Sequence, residues 1–156
     1  MVEVKIEAIL FDMSSNSPVV LLKDKEGKKF LPIWIGPFEA NAIQMELEGE
    51  KPIRPLTHDL LKNILEELNA EVVKISICDL QDNIYYASIT LKVNGRIVEI
   101  DSRPSDAIAL AVRTKSPIFA EDWILKEIKE EAPEDERESF RKFLEGLSPE
   151  DFKYKH

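Results

Sequence analysis

The chain has 156 residues, 44% of them hydrophobic and 33% charged, which is the composition of one globular domain rather than of a disordered segment. Its 30 acidic and 21 basic side chains give a formal net charge of −9, and this excess argues against a broad basic face for nucleic acid. The short apolar runs, the lack of a signal-peptide pattern and the lone Cys78 exclude a bilayer span and an internal disulfide framework, so we expect a cytoplasmic protein.

The first half of the chain predicts three strands followed by two helices. Alternating apolar residues indicate the first strand, and the turn at Gly27 separates the second from the third. Pro37 suits the first position of a helix, and Thr57 suits the N-cap of the next one. The elements expected here are strands at 2–10, 19–25 and 30–35 and helices at 37–49 and 57–69.

The second half predicts three more strands, a helix and a short strand. Asn94-Gly95 is typical of a tight hairpin turn. The helix that starts near Ser102 and Pro104 is apolar nearly all round, which predicts that it is buried. The elements expected here are strands at 72–80, 85–93, 96–101 and 117–120, the helix that starts at 102–104 and includes 107–112, and tail helices at 122–131 and 134–147, on either side of Pro133.

These elements predict an α+β fold in which mostly antiparallel strands pack against helices. We expect residues 1–130 to form the domain and residues 131–156 to form an acidic, helical C-terminal extension. A shift of 67 residues places Pro37 on Pro104 and Glu39 on Asp106, with the strand pattern in phase. We therefore expect an internal duplication of a three-strand-plus-helix unit, about 4–49 and 71–116, although chance identity also accounts for so few matches.

The segment Asp101–Asp106 lies where a predicted strand passes into a predicted helix. Side chains and free backbone N–H groups converge at such a junction. Arg103 offers paired hydrogen bonds to a phosphate or a carboxylate, and the two aspartates offer hard oxygen ligands. A structural role is also open, in which either serine of the segment caps the helix and Arg103 pairs internally.

A second candidate cluster comprises Arg54, Thr57, His58 and Asp59 at the start of the second helix. His58 is a candidate for proton transfer, and the alternative is that His58 and Asp59 are solvated first-turn residues. Glu39 and Asp106 are equivalent in the proposed duplication. If the two helix starts meet, these carboxylates would approach each other and share a divalent cation.

Three motifs in this order resemble the bifunctional nuclease domain family over about residues 1–130. They are Ile33-Trp34-Ile35-Gly36 with Glu39-Ala40, then Arg54-Pro55-Leu56-Thr57-His58-Asp59-Leu60-Leu61, then Asp101-Ser102-Arg103-Pro104-Ser105-Asp106-Ala107-Ile108-Ala109-Leu110. The resemblance implies a domain that is linked, in plant members, to cleavage of both RNA and DNA. It strengthens a functional role for Arg103 and Asp106 without deciding which role. A motif can mark a fold or an interface as well as an active site.

Two functions therefore stay open. The first is a nuclease that hydrolyses phosphodiester bonds of RNA or DNA with help from a divalent cation, Mg²⁺ or Mn²⁺. The second is a non-catalytic homo-oligomer that binds a small anionic ligand or a protein partner. The nuclease hypothesis assigns catalysis to Asp101, Arg103, Asp106 and His58, substrate binding to Arg54, Arg103 and Ser105, and the cation to Asp101, Asp106 and Glu39.

Overall fold

The computed structural model describes residues 1–127 and residue 142. Within residues 1–127, one eight-stranded sheet packs against three helices. The elements are β1 (Val2–Asp12), β2 (Ser17–Asp24), β3 (Lys29–Trp34), α1 (Pro37–Leu47), α2 (Thr57–Glu67), β4 (Ala70–Gln81), β5 (Ile84–Val93), β6 (Arg96–Ser102), α3 (Pro104–Thr114), β7 (Ile118–Ala120), a 3₁₀ turn (Asp122–Ile124) and β8 (Lys126–Glu127).

The strands lie in the order β6-β5-β4-β7-β1-β2-β3-β8. All neighbours are antiparallel except β4 and β7, which are parallel. The two-residue turn at Asn94-Gly95 joins β5 to β6, with positive φ at both residues, as the hairpin pattern predicts. The α+β class with mostly antiparallel strands is thus confirmed.

The two predicted units have the same element order. β1, β2, β3 and α1 form one unit, and β4, β5, β6 and α3 form the other. Each unit is an antiparallel meander followed by a helix whose first residue is a proline. β7 separates β1 from β4, so the units run outward in opposite directions from the middle of the sheet. The repeated order of three strands and a helix agrees with the predicted unit, and the duplication itself stays a prediction.

The main core lies between one face of the sheet and the helices. Seven of the eleven residues of α3 are buried, which confirms the burial predicted from its composition. The rest of this core comes from alternate residues of the central strands, because successive side chains of a strand point to opposite faces. The inner surface of α1 contributes the fully buried Ala40 and Ile43. Burial therefore anchors α3 in the core, and with it the backbone of its N-cap residue, Arg103.

Two local predictions are wrong. Thr57 is not the N-cap of α2. Leu56 holds that position, and its backbone N–H donates to the carboxylate of Asp59 at 2.9 Å. The helix predicted from 122 is also wrong where the structure describes it, because the 3₁₀ turn there buries Ile124 and β8 then pairs with the edge of β3. The tail helix predicted at 134–147 and the C-terminal extension lie outside the described residues, apart from residue 142.

Within residues 1–127 and residue 142, none of the helices has the length and apolar character needed to cross a bilayer.

Candidate active site

The first turns of α1 and α3 each place a carboxylate against one side chain, Arg103. This residue is the N-cap of α3, with extended backbone angles. Its Nε donates to Asp106 Oδ2 at 2.9 Å, and its Nη2 donates to Asp106 Oδ1 at 3.2 Å. Its Nη1 donates to Glu39 Oε1, in the first turn of α1, at 3.3 Å. The two carboxylates that the predicted duplication pairs, Glu39 and Asp106, thus accept hydrogen bonds from the same guanidinium.

Arg103 keeps hydrogen-bonding capacity for a ligand. A guanidinium has five N–H groups, and contacts to described residues use three of them. The side chain is 64% exposed although it is held by two carboxylates. Its hydrogen bonds to Asp106 and then to Glu39 raise its pKa further above the ordinary value. Arg103 is therefore a fixed, permanently charged group at the surface.

His58, in the first turn of α2, forms the other contact of Asp106. The distance from His58 Nε2 to Asp106 Oδ1 is 2.9 Å, and the imidazole is only 12% exposed. Burial tends to raise the pKa of Asp106, but hydrogen bonds from Arg103 and His58 outweigh it, and the pKa is lowered. Since the ionised carboxylate can only accept, Nε2 is the nitrogen that donates to it. The interpretation of His58 as a solvated residue is wrong.

Asp59 turns the other way, toward a buried arginine that the sequence analysis missed. Arg113 of α3 is 3% exposed and donates from Nε to Asp59 Oδ1 at 2.8 Å. It also donates to the backbone oxygens of Ala109 and Ala42, each at 2.9 Å. Burial opposes the ionised form of Asp59, but hydrogen bonds from Leu56 and Arg113 lower its pKa. This network ties α2 to α1 and α3, and it thereby places the neighbouring His58.

Two clefts open on either side of the Arg103–Glu39 pair, and both residues line each of them. The Trp34 cleft, of about 470 Å³, is lined on its other walls by Ile33–Gly36, Pro104, Ser105, residues 83–85 and Ser17. The His58 cleft, of about 540 Å³, is lined by Phe38, Asn41, Ala42, residues 55–58 and Asp106. A group bound at Arg103 thus has concave surface on both sides.

The remaining predicted site residues are not all in this cluster. Ser105 is buried in the wall of the Trp34 cleft, and Arg54 lies in the exposed loop that leads to α2. Asp101 pairs with Ser88 in the sheet, and since their neighbours Ala87 and Ile89 face the helices, Asp101 points to the opposite face. α3 also starts without a side-chain cap, so neither serine of the 101–106 segment has that role.

The structure does not bring the three predicted cation ligands together. Asp101 is on the other face of the sheet, while Glu39 and Asp106 direct carboxylate oxygens at Arg103. Among the described residues, no group of three or more His, Cys, Asp or Glu side chains is arranged to hold a metal ion. This donor set therefore does not fit a divalent cation, because a guanidinium takes the position between the two nearest carboxylates.

Fold and site together define an α+β domain with an exposed arginine held by two carboxylates and a His–Asp pair beside it. The model of one family, "Bifunctional nuclease domain", matches residues 20–133. The chain belongs to the bifunctional nuclease domain family, as its motifs indicated.

Named relatives fall into two groups. An uncharacterised protein of Mycobacterium tuberculosis (strain ATCC 25618 / H37Rv) is 39% identical over 163 residues, which cover 97% of this chain and 98% of that protein. Bifunctional nuclease 1 of Arabidopsis thaliana is 29% identical over 111 residues, 69% of this chain and 34% of that protein. Bifunctional nuclease 2 of Oryza sativa subsp. japonica is 28% identical over 109 residues, 67% of this chain and 34% of that protein. The match thus spans about a third of each plant protein.

Proposed function

We propose that the chain is a nuclease that hydrolyses phosphodiester bonds of RNA or DNA at the Arg103 cluster. The observation that carries the proposal is the placement of Arg103. Its guanidinium is exposed and held by Glu39 and Asp106 between two clefts, with His58 on the far side of Asp106. The names of the plant relatives, which cover the same domain, point to the same chemistry.

In this proposal, Arg103 binds the phosphate. Its two N–H groups that are not used by carboxylates donate to the non-bridging oxygens, where charge accumulates as the bond breaks. Glu39 and Asp106 hold the guanidinium of Arg103 in place, so little side-chain entropy is lost when a phosphate binds. The two carboxylates also outweigh the one guanidinium in charge, which predicts weak ground-state binding and favours a contact that strengthens in the transition state.

His58 is the proposed group for proton transfer. His58 lines the His58 cleft. The proposal requires its neutral ring, in which donation from Nε2 to Asp106 leaves the lone pair on Nδ1. Water is the attacking group, because DNA has no 2′-hydroxyl. Nδ1 takes a proton from this water as its oxygen bonds to phosphorus. The phosphorus–oxygen bond to the leaving sugar breaks, the sugar oxygen takes a proton from solvent water to become a hydroxyl, and the imidazolium then returns its proton to solvent. Asp106 positions both Arg103 and His58, so it is the residue that couples phosphate binding to proton transfer.

Assistance by Mg²⁺ or Mn²⁺, and a role of Asp101 in catalysis, stay predictions from the sequence. A cation at Glu39 and Asp106 would have to displace the guanidinium of Arg103. We therefore assign no step to a metal. Cleavage measured in EDTA and in each metal ion tests this directly, because only the metal-assisted version loses its activity in EDTA.

The test of the function uses protein purified to constant specific activity and end-labelled single-stranded RNA and DNA. Arg103→Ala and His58→Ala should each lower the rate by about 100-fold or more. Arg96→Ala is the matched control, since Arg96 is an exposed arginine at the far end of β6, and its rate should equal that of the parent. Equal rates in all four proteins would mean that the cleavage comes from elsewhere, and no cleavage by the parent would reject the proposal.

The second candidate, a non-catalytic homo-oligomer, is favoured by one surface. α2 and its C-cap residue Leu68 present a stripe of exposed apolar residues, which are Leu60, Ile64 and Leu68. Leu61 and Leu65 of α2 pack on the core. Solvent-facing apolar residues at this spacing are typical of a helix that pairs with another helix. We propose a second copy of this chain as the occupant of the stripe, and such an assembly is compatible with either function.

A further inference from the structure

The walls of the two clefts carry aromatic side chains at the surface. Trp34, at the end of β3, is 41% exposed and lines the Trp34 cleft. Phe38, at the second position of α1, is 87% exposed and lines the His58 cleft. A phenylalanine so exposed adds little to a core, and the two aromatic residues line different clefts that share Arg103 and Glu39. Their placement therefore calls for an explanation other than packing.

Trp34 is held in place through its polar edge. The indole Nε1 donates to Asp12 Oδ2 at 2.9 Å. Asp12 is itself held by the hydroxyls of Ser14 and Ser15, at 2.7 and 2.9 Å. These hydrogen bonds, first that of Ser14 and then that of Trp34, lower the pKa of Asp12 to about 2. The carboxylate is thus ionised at neutral pH, and a charge-assisted hydrogen bond fixes the indole where it borders the cleft.

The start of α1 brings the two rings and the carboxylate together. Gly36 separates the end of β3 from the helix, and a Cβ built on it would lie 2.2 Å from Glu39 Oε2. The lack of a side chain at Gly36 therefore lets the Glu39 carboxylate fold back over the helix start and reach Arg103. Trp34 and Phe38, four residues apart in the chain, are left on either side of this carboxylate.

We propose that Trp34 and Phe38 are stacking platforms for the two nucleobases that flank the phosphate bound at Arg103. This inference rests on the proposed function and specifies its substrate as single-stranded nucleic acid. A base has to leave the duplex stack before its face can meet an aromatic side chain, and stacking on such platforms tolerates every base. The acidic chain has little basic surface to hold a backbone, so aromatic contacts supply much of the affinity.

The first arm of the test measures binding without requiring turnover. A fluorescein-labelled ten-nucleotide single strand of dT is titrated in EDTA with the full chain. Binding is followed by fluorescence anisotropy, which is read before any cleavage of the strand in the same mixture is measurable. Trp34→Leu and Phe38→Leu should each weaken the affinity about tenfold, in line with the free energy of one base–aromatic stack. Trp34→Phe keeps a ring and should stay within about threefold of the parent.

Trp123→Phe is the matched control, because the chain has two tryptophans and Trp123 is exposed in the 3₁₀ turn, outside both clefts. It should bind as the parent does. In this background Trp34 is the remaining indole, and its emission should be quenched saturably by the single strand. The same dT strand annealed to its complement should bind at least about tenfold more weakly than the single strand.

Binding that is unaffected by both leucine variants, or equal for single strand and duplex, overturns the inference. A parent that does not bind the strand at all also overturns it. Cleavage measured on the same proteins separates the two proposals. Ring-dependent binding without cleavage would support the platforms and reject the nuclease, whereas cleavage with unchanged binding in the leucine variants would support the nuclease and reject the platforms.

Discussion

Replacing Arg113 by methionine should destabilise the protein strongly although Arg113 is not in the proposed catalytic cluster. The substitution keeps an unbranched apolar stem and removes the guanidinium, which makes three hydrogen bonds from a side chain that is 3% exposed. Removal of one partner from a buried ion pair typically costs about 3–5 kcal/mol. Asp59 stays 24% exposed and keeps the N–H of Leu56, so we expect the lower end, about 3 kcal/mol.

Urea unfolding at pH 7, followed by far-ultraviolet circular dichroism, measures this loss as a change in midpoint at constant m-value. Lys62→Met is the control, because Lys62 forms an exposed pair with Glu66 at 3.8 Å and its loss should cost less than about 0.5 kcal/mol. In Asp59→Asn/Arg113→Met, where neither charge is left unpaired, the loss should be smaller than the sum of the two single losses. A loss below about 1 kcal/mol for Arg113→Met would refute the network as a tie between the helices.

Four further predictions follow from the site and the surface. The logarithm of the association constant for a single strand should fall with the logarithm of the salt concentration at a slope of about −1, because the proposed site contacts only one or two phosphates through arginine. Gly36→Ala should change the free energy of unfolding by less than about 1 kcal/mol but slow cleavage, since the new Cβ forces the Glu39 carboxylate away from Arg103. The pKa of Asp59 is lowered in the folded protein, so its ionised form stabilises the fold above pH about 4. This stabilisation is lost as the pH falls through the lowered pKa. The loss in free energy of unfolding that Asp59→Asn causes at pH 7 should therefore shrink below pH about 4. If the α2 stripe pairs two copies, Ile64→Glu should have a smaller sedimentation coefficient than the parent. Equal sedimentation coefficients for the parent and the variant would refute that pairing.

Local patterns in the sequence predicted most of the fold. Alternation marked the long strands, and Pro37 and Pro104 marked the helix starts that bring Glu39 and Asp106 to Arg103. β8 could not be predicted in this way. It has two charged residues, and the unpaired edge of β3 rather than any periodicity determines its conformation.

The candidate site was predicted only in part, because some of its contacts depend on tertiary pairing that no local pattern records. The motifs contain Arg103, His58 and Asp106, but the sequence cannot show that a guanidinium rather than a cation lies between the carboxylates. The partner of Arg113 is 54 residues away along the chain, and no local pattern distinguishes this buried arginine from a solvated one. By contrast, the direction of Asp101 follows from the period of two along β6, once Ser102 is placed on the face toward the helices.

The central claim is that the guanidinium of Arg103 stabilises the breaking phosphodiester. The most direct measurement is the single-turnover rate of cleavage of an end-labelled single strand by Arg103→Ala, with and without added guanidinium chloride at concentrations well below those that unfold the protein. Our account predicts a rate at least about 100-fold below that of the parent, with saturable partial recovery as guanidinium occupies the vacated position. A variant that cleaves at the parental rate without guanidinium would contradict the account.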